Sequence, residues 1–535
     1  MTSQLTVPDG ATSKTPGGEP GRGLRGHPWL TLFSVAIGVM MVTLDGTIVA
    51  IANPTIKEDL GASLAQVQWI TNGYLLALAV SLITAGKLGD RFGHRQTFLI
   101  GIAGFATASA AIGLSHSVGL VIGFRVLQGL FGALLMPAAL GLLRATFPAE
   151  KLNMAIGIWG MVIGASTAAG PIVGGLLVQH VSWQSCFFIN IPVGLVALVF
   201  GLVILKDHRA ENAPRSFDVV GIVLLSAAMF GLVWSLIKAP EWGWGGARTL
   251  GFLGGALVCF AVFAVWETKV REPLVPLGIF RSVPLSAGTV LMVLMAFAFM
   301  GGLFFVTFYL QNVHGMSPVD AGLHLLPLTG MMIVGSPAAG AAITKIGPRI
   351  PLMAGMAATA AACFGLSRLT PDSGTTAMSL WFALLGLGLA PVMVGATEVI
   401  VGNAPLELSG VAGGLQQAAM QVGGSLGTAV LGAVMAGRVD GRFEGNWAKA
   451  ELPPLAPDQL DLVKKGVEVG YAPPAPQGTP AAVTDKIAGV VHDTFVSGMS
   501  LAFTVAGVVA VLAAAVATLT KRGANAEAGA GVGHV

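Results

Sequence analysis

The stretch Gly86-Lys87-Leu88-Gly89-Asp90-Arg91-Phe92-Gly93-His94-Arg95 decides how the rest of the chain is organised. It carries four charged side chains in ten residues, whereas only 10% of the 535 residues in the chain are charged. A weaker copy lies 254 residues later and keeps the spacing of its glycines and basic residues, as Gly340, Lys345, Gly347 and Arg349, with Thr344 in place of Asp90. We predict that both copies lie in short loops between apolar stretches. A charged turn repeated at the same place in two halves predicts a duplicated bundle of membrane helices.

The composition of the chain indicates many membrane spans. Hydrophobic residues make up 54% of it, which is more apolar surface than a soluble domain of this size can bury. The predicted fold class is an all-α integral membrane protein with fourteen transmembrane helices. The predicted spans lie near 29–52, 69–88, 97–115, 118–143, 153–178, 185–205, 218–237, 249–267, 285–309, 320–343, 351–368, 376–401, 410–436 and 495–520.

Alignment of the two halves on the repeated turn divides the membrane part of the chain. Residues 29–206 form a first six-helix bundle, and residues 284–520 form a second one. Residues 207–283 are left over as an inserted transmembrane hairpin with its linkers. The second bundle also contains a Pro-rich loop at 437–492, predicted to be extracellular, in which 458–469 can form one amphipathic helix. This loop is either a tether or a cap over a substrate or partner.

The distribution of Lys and Arg predicts the orientation. Eighteen basic residues fall on the side that carries both termini, and only four fall in the short loops on the opposite side. Since basic loops stay in the cytoplasm, both termini are predicted to be cytoplasmic. The polar ends at 1–28 and 521–535 are then cytoplasmic tails, the first of them predicted to be disordered.

Three ionisable residues lie well inside predicted spans, namely Asp45, Arg125 and Glu398. Such residues are costly in a membrane, and each is therefore a functional hypothesis. At about 1.5 Å per residue, Asp45 and Arg125 lie at roughly matching depths of 13 and 12 Å from the outer ends of their helices. We predict that they pair and that protonation of Asp45 releases Arg125, which would couple transport to protons. The alternative is a static ion pair that fixes helix register.

For two further polar residues the sequence leaves two roles open each. Glu398 is assigned to proton coupling, although it lies one turn from Asn403 and could instead reach water at the helix end. Gln128 follows Arg125 by one helical turn and shares its face. It is predicted to contact either Arg125 or the substrate in a cavity, and a polar side chain satisfied by a neighbouring helix is the open alternative.

Two groups of small or charged residues predict moving parts. The first is a conformational gate at the repeated turn, formed by Gly86, Asp90, Arg91, Gly93 and Arg95. The alternative is a charged loop that only fixes the orientation of the protein in the membrane. Asp90 is expected to cap a neighbouring helix or to bind Arg91. The second is a kinked, close-packed helix between the halves, predicted from Gly160, Gly164, Gly170, Pro171 and Gly174.

The sequence lacks the motifs of several kinds of chemistry. It contains no Gly-x4-Gly-Lys-Ser/Thr phosphate loop, so ATP is not expected to be the energy source. Metal-ligand spacings and nucleophile constellations are also missing, so neither an enzyme nor a metal site is predicted. The small net charge of +3 follows from the orientation bias and does not argue for nucleic acid.

Together these motifs resemble the major facilitator superfamily, and within it the fourteen-span drug:proton antiporters of the EmrB/QacA type. The resemblance covers roughly 29–436 and the last span. It is carried by the decapeptide and by the segments Leu44–Val49, Arg125–Gly129, Gly160–Gly175, Trp183–Pro192 and Phe217–Gly221. Departures from the family pattern include Ala50, Asn53, Gln184, Ser185 and His94. The resemblance implies that spans 1, 4, 9 and 12 line the cavity.

The sequence thus predicts a monomeric, proton-driven exporter of hydrophobic or cationic small molecules in the cytoplasmic membrane, working by alternating access. Its partners would be the substrate and the lipid bilayer, and no cofactor beyond the proton gradient is expected. Three alternatives stay open at this point: a dedicated exporter of one endogenous metabolite or antibiotic, an importer on the same scaffold, and a non-transporting membrane receptor on that scaffold.

Overall fold

The computed structural model describes residues 24–207, 218–472 and 480–521. Within these residues, fourteen helical segments are long and apolar enough to cross a membrane, as the sequence predicts. The helices of the first half are α1 Pro28–Asp59, α2 Leu64–Phe92, α3 His94–Gly113, α4 Val118–Thr146, α5 Ala149–His180, α6 Ser185–Phe188 and α7 Asn190–Ile204. The inserted hairpin consists of α8 Val219–Trp242 and α9 Ala247–Glu267. The second half contains α10 Val283–Phe308, α11 Pro318–His324, α12 Leu326–Ile346, α13 Arg349–Leu366, α14 Thr375–Asn403, α15 Ser409–Lys449, α16 Pro457–Val467 and α17 Ala481–Ala517.

Local sequence explains several helix boundaries. Ser63 and Gln66 form a capping box at the start of α2, and the Ser117 hydroxyl accepts the Leu120 N–H at the start of α4. Gly93 ends α2 with φ +98°, and Gly347 ends α12 with φ +83°. Glycine adopts such positive φ values readily, which explains why both copies of the repeated turn keep it.

The repeated turn is not the loop that the sequence predicts. Residues 86–92 form the last two turns of α2, and α3 begins at His94, so that Gly93 alone links the two helices. A single glycine suffices because it redirects the chain without irregular backbone, which is costly at membrane depth.

The two halves meet through pairs of helices that are equivalent under the duplication. The second helix of the first bundle, α2, packs on α15, and α5 packs on α12. The hairpin α8–α9 lies outside this interface, where α8 contacts both α2 and α15. The hairpin therefore touches both halves through one helix.

The segment 437–492 is more regular than predicted. Helix α15 continues to Lys449 and α17 already begins at Ala481, so the Pro-rich loop is much shorter than 437–492. The amphipathic helix predicted at 458–469 is confirmed as α16. The predicted tails at 1–28 and 521–535 fall largely outside the described residues.

Candidate functional site

A buried charge pair lies in the first half, between α1 and α4. Arg125 Nη1 donates a hydrogen bond to Asp45 Oδ2 at 2.6 Å, and the two side chains are 1% and 0% exposed. The predicted pairing is thus confirmed. Arg125 Nε also donates to the Ile70 carbonyl at 3.2 Å, and its guanidinium lies 4.1 Å from the centroid of the Tyr74 ring. These contacts come from α2, so three helices converge on the pair.

Two amides complete what we call the central network, formed by Asp45, Arg125, Gln128 and Asn190. Gln128 Oε1 accepts a hydrogen bond from Arg125 at 2.7 Å, while Gln128 Nε2 donates to Asp45 Oδ1 at 3.1 Å. Asn190 Nδ2 donates to Asp45 Oδ1 at 2.9 Å and to Ser109 Oγ, also at 2.9 Å. Gln128 therefore contacts Arg125, which was one of its predicted alternatives.

The network has a chemical consequence. Asp45 accepts three hydrogen bonds from neighbours that favour its anion. If Asp45 takes up a proton, Arg125 still keeps the Gln128 oxygen, the Ile70 carbonyl and the Tyr74 ring as partners. One proton can therefore bind without leaving an isolated guanidinium, which would be very costly in this environment.

Sequence reasoning did not assign roles to Asn190, Ser109 or Tyr74. Asn190 is a polar residue in an apolar span and is only 1% exposed, so its polarity was a usable signal. Ser109 and Tyr74 are buried polar residues of types that occur in many membrane helices, and no sequence signal distinguished them.

The glycines of α5 serve two different helices. A Cβ added at Gly160 or Gly164 would contact Ser336 or Met332 of α12, across the interface between the halves. At Gly170 it would overlap the Thr47 hydroxyl of α1, which lies in the same half. The prediction of an inter-half contact is therefore wrong for Gly170.

Gly174 belongs with Gly170, since its added Cβ would lie 3.2 Å from the Ile48 carbonyl oxygen. These two glycines bring α5 against α1 within one turn of Asp45. Residues 149–180, including Pro171, are assigned as one helix, and the kink there stays a prediction.

A second polar site joins the halves at the terminal end, meaning the end of the bundle where α1 begins and α17 ends. Asp90 Oδ1 and Oδ2 accept the backbone N–H groups of Gly410 and Val411 at 2.7 and 2.9 Å. Asp90 thus caps the start of α15, as one of its predicted alternatives held. His94 Nε2 lies 3.4 Å from Asp90 Oδ1 and 3.2 Å from Ser409 Oγ. We call Asp90, His94, Ser409 and Gly410 the latch.

The remaining gate residues make different kinds of contact. Gly86 faces the second half directly, because an added Cβ would overlap the Gly410 carbonyl oxygen. Arg95 instead donates to the Leu202 carbonyl of its own half at 3.1 Å, and Arg91 lies against the Phe92 ring. Gly93 acts through its positive φ. Arg95 therefore ties α3 to α7 within the first half, and its part in a gate stays a prediction.

Two basic side chains add contacts near the latch that the sequence did not indicate. Arg144 of α4 donates to the carbonyl oxygens of Ala404 and Pro405 in the second half. Lys87 Nζ donates to the Pro273 carbonyl at 2.8 Å, in the linker after the hairpin. The terminal end is therefore closed by contacts from α2, α3 and α4.

Glu398 belongs to this terminal region and not to the central network. It is 4% exposed on α14, so the alternative that it reaches water is wrong for this conformation. Glu398 is one of three carboxyl groups within electrostatic range of Arg144, the other two being Asp90 and Glu407. The structure thus separates the three predicted coupling residues into a central pair and one residue near the latch.

These features define a membrane protein of two related helical halves, with a buried charge network in the first half and a closed contact at one end. The chain belongs to the Major Facilitator Superfamily, whose sequence profile matches residues 35–428.

Relatives of this chain include resistance and efflux proteins. The Tetracenomycin C resistance and export protein of Streptomyces glaucescens is 69% identical over 504 residues, which cover 94% of this chain and 93% of the relative. Multidrug efflux pump LfrA of Mycolicibacterium smegmatis is 31% identical over 496 residues, covering 92% and 96%. Puromycin resistance protein pur8 of Streptomyces alboniger is 34% identical over 416 residues, covering 76% and 82%.

Solved structures support the fold. The human organic anion transporter MFSD10 (TETRAN) aligns with a TM-score of 0.60 at 13% identity, covering 92% of this chain and 99% of its own. The proton:xylose symporter XylE aligns with a TM-score of 0.61 at 12% identity, covering 94% and 98%. At such identities the similarity concerns the fold alone.

Proposed function

We propose that this protein exports hydrophobic small molecules across the cytoplasmic membrane in exchange for protons, and that it performs no catalysis. The observation that carries this proposal is the central network, in which a fully buried Asp45 is bonded to Arg125, Gln128 and Asn190. A silent scaffold gains nothing from bearing the cost of these buried groups. The names of the relatives favour export over a receptor role.

In the proposed cycle, the proton on Asp45 and the substrate alternate. Proton uptake neutralises Asp45 and weakens its hold on Arg125, so α1 and α4 become free to shift relative to each other. Substrate then binds to the protonated protein, and its binding expels the proton from Asp45. The latch holds the terminal end shut while the opposite end exchanges with the outside, and its opening admits the next substrate.

The orientation and the substrate are part of the proposal. The excess of Lys and Arg beside the termini supports a cytoplasmic location for that end. Tetracenomycin C is the first compound to test, because the relative named for its export is 69% identical. We propose that the protein works as a monomer in the bilayer.

Proton release from purified protein on addition of tetracenomycin C tests the proposal. The native chain should release protons in weakly buffered solution, whereas Asp45→Asn should bind the compound and release none. Asp440→Asn, which changes an exposed carboxylate, should behave as the native chain does. Equal proton release from the native chain and from Asp45→Asn would disprove antiport through Asp45.

Substrate range distinguishes a broad exporter from a dedicated one. Efflux of several unrelated dyes from cells expressing the chain, abolished by a proton uncoupler, is expected of a broad exporter. Movement of tetracenomycin C without movement of any dye would favour the dedicated exporter. Efflux that ignores the uncoupler would contradict proton coupling.

A further inference from the structure

Two buried carboxyl groups lie at the base of the inserted hairpin, and the proposed transport cycle does not use them. Asp218 precedes α8 and is 9% exposed, while Glu267 ends α9 and is 4% exposed. Asp218 Oδ1 accepts the Gly221 N–H and the Trp266 indole N–H, both at 2.8 Å. Glu267 accepts the N–H groups of Leu274 and Val275 at 3.3 and 3.1 Å. Both side chains are therefore fixed in position.

The two carboxyl groups face each other. Asp218 Oδ2 and Glu267 Oε1 both lie beside the Cα of Gly221, where an added Cβ would overlap the first and come within 2.8 Å of the second. Both oxygens thus border the same space next to Gly221, which makes the two carboxyl groups direct neighbours. In the described residues no N–H or hydroxyl group donates to the buried Asp218 Oδ2. Two ionised carboxylates cannot hydrogen-bond, whereas a pair that holds one proton can.

The surrounding charges favour a proton in this place. Lys87 of α2 lies within electrostatic range of Asp218, Glu267, Glu272 and Asp90. These carboxyl groups come from α2, the two ends of the hairpin and the linker. Arg144 and His94 also lie near Asp90, which leaves Lys87 as the cation in range of the three other carboxyl groups. Since buried like charges repel strongly, neutralising one of these carboxyl groups lowers the energy of the cluster.

The pair is also connected to the latch. Glu267 holds the backbone of Leu274 and Val275, and the neighbouring Pro273 carbonyl accepts the Lys87 ammonium at 2.8 Å. Lys87 lies on α2 one turn before Asp90, which caps α15. A change at Glu267 therefore reaches the contact between the halves through the linker and one helical turn.

We propose that Asp218 and Glu267 form a proton-binding site that shares one proton, and that this proton stabilises the closed latch. The proton lies between Glu267 Oε1 and Asp218 Oδ2 and exchanges with water at the terminal end. Its loss leaves two facing anions, which pull Lys87 away from the Pro273 carbonyl and loosen α2 from α15. The inserted hairpin thereby makes the latch responsive to pH on the side of the termini.

Infrared difference spectroscopy of the purified full-length protein near neutral pH tests for the proton without relying on transport. We expect the native protein to show one protonated-carboxyl C=O band that neither Glu267→Gln nor Asp218→Asn shows. The band should therefore appear in both native-minus-variant difference spectra. With its amide nitrogen in the place of Glu267 Oε1, the glutamine can donate to Asp218 and still accept the Val275 N–H, losing only the longer contact with the Leu274 N–H. This variant should therefore fold, and its elution on size exclusion checks this. Glu241→Gln, with an exposed carboxylate at the other end of the hairpin, should retain the band.

Two results of this experiment would overturn the shared proton. One is a native spectrum from which Glu267→Gln removes only ionised-carboxylate bands. The other is a protonated-carboxyl band that disappears when Na⁺ or Mg²⁺ is added to the native protein, which would assign the site to a metal cation.

The connection to the latch needs a distance measurement. Spin labels at the exposed positions Phe92 and Leu406 would report opening of the terminal end, in a background without the three native cysteines. We expect the open fraction of the native chain to rise with pH and to become several-fold less pH-dependent in Glu267→Gln. An unchanged pH dependence in that variant would separate the proton site from the latch and refute the regulatory part of the proposal. Failure of antiport through Asp45 would leave both measurements unaffected.

Discussion

Asp90 and Gly410 lie 320 residues apart in the chain and join its two halves through one charge-assisted hydrogen bond, from the Gly410 N–H to Asp90 Oδ1 at 2.7 Å. The carboxylate sits at the end of α2, and the N–H group belongs to the first turn of α15. The positive end of the α15 dipole adds to the attraction. The closed terminal end therefore depends on a specific pairing between a side chain of one half and the backbone of the other.

Asp90→Asn should weaken this closure. The asparagine oxygen still accepts one N–H, but the charge and the second acceptor are lost, at a cost of about 1–3 kcal/mol. We expect the ratio of open to closed terminal ends to rise by roughly 5- to 150-fold. Distances between spin labels at Phe92 and Leu406 measure this ratio, and the exposed Asp440→Asn serves as control. An unchanged ratio in Asp90→Asn would exclude the carboxylate as a holding contact.

Gly86→Ala tests the latch without changing any charge. The added methyl group would overlap the Gly410 carbonyl, and because this atom belongs to a helix backbone, α2 and α15 must separate. We expect the terminal end to open and transport to fall sharply. Gly254→Ala on α9 is the matched control, since nothing lies within 4 Å of its added Cβ.

Asn190→Ala should shift the pH dependence of transport. Asn190 donates one of the three hydrogen bonds that stabilise ionised Asp45, and its loss removes about 1.5–3 kcal/mol of that stabilisation. Removal of this donor disfavours the ionised form of Asp45 relative to the native chain, so the pH profile of transport should move upward. Ser109→Ala removes only the support behind Asn190 and should shift the profile less. A profile that stays in place in Asn190→Ala would mean that Asp45 does not control the pH dependence.

The sequence allowed the pair of Asp45 and Arg125 to be predicted, but not the contact of Asn190 with Asp45. Asp45 and Arg125 have opposite charges at similar depths in apolar spans, and the cost of burying either one alone forces them together. Asn190 carries no charge, and its contact with Asp45 depends on how α7 is rotated against α1. One sequence does not contain this rotation, because apolar faces toward lipid and toward protein look alike.

The same limit explains what the sequence left open at the latch and where its prediction failed on α5. Capping of a helix by Asp90 was predictable from its chemistry, whereas the identity of α15 as the partner required the packing of the halves. Gly160 and Gly170 look equivalent in the sequence, but their ten-residue separation turns them toward different helices, α12 and α1. A Gly-rich helix predicts close packing against a neighbouring helix, but it does not identify that neighbour.

Glu468, beside α16 and outside the membrane spans, should make the stability of its surroundings depend on pH. Burial, together with the nearby Asp440 carboxylate, raises the pKa of Glu468 above its ordinary value. The folded state thus binds this proton more tightly than the unfolded state, and the stability that it contributes is lost as pH rises through the raised pKa.

Hydrogen exchange of α16 should accordingly be slower at low pH than at high pH, after correction for the intrinsic exchange rate. Glu468→Gln should abolish the difference, whereas Asp485→Asn, an exposed carboxylate in the first turns of α17, should keep it. If Glu468→Gln retained the full pH dependence, another group in this segment would have to be responsible, because the glutamine side chain has the same shape and does not titrate.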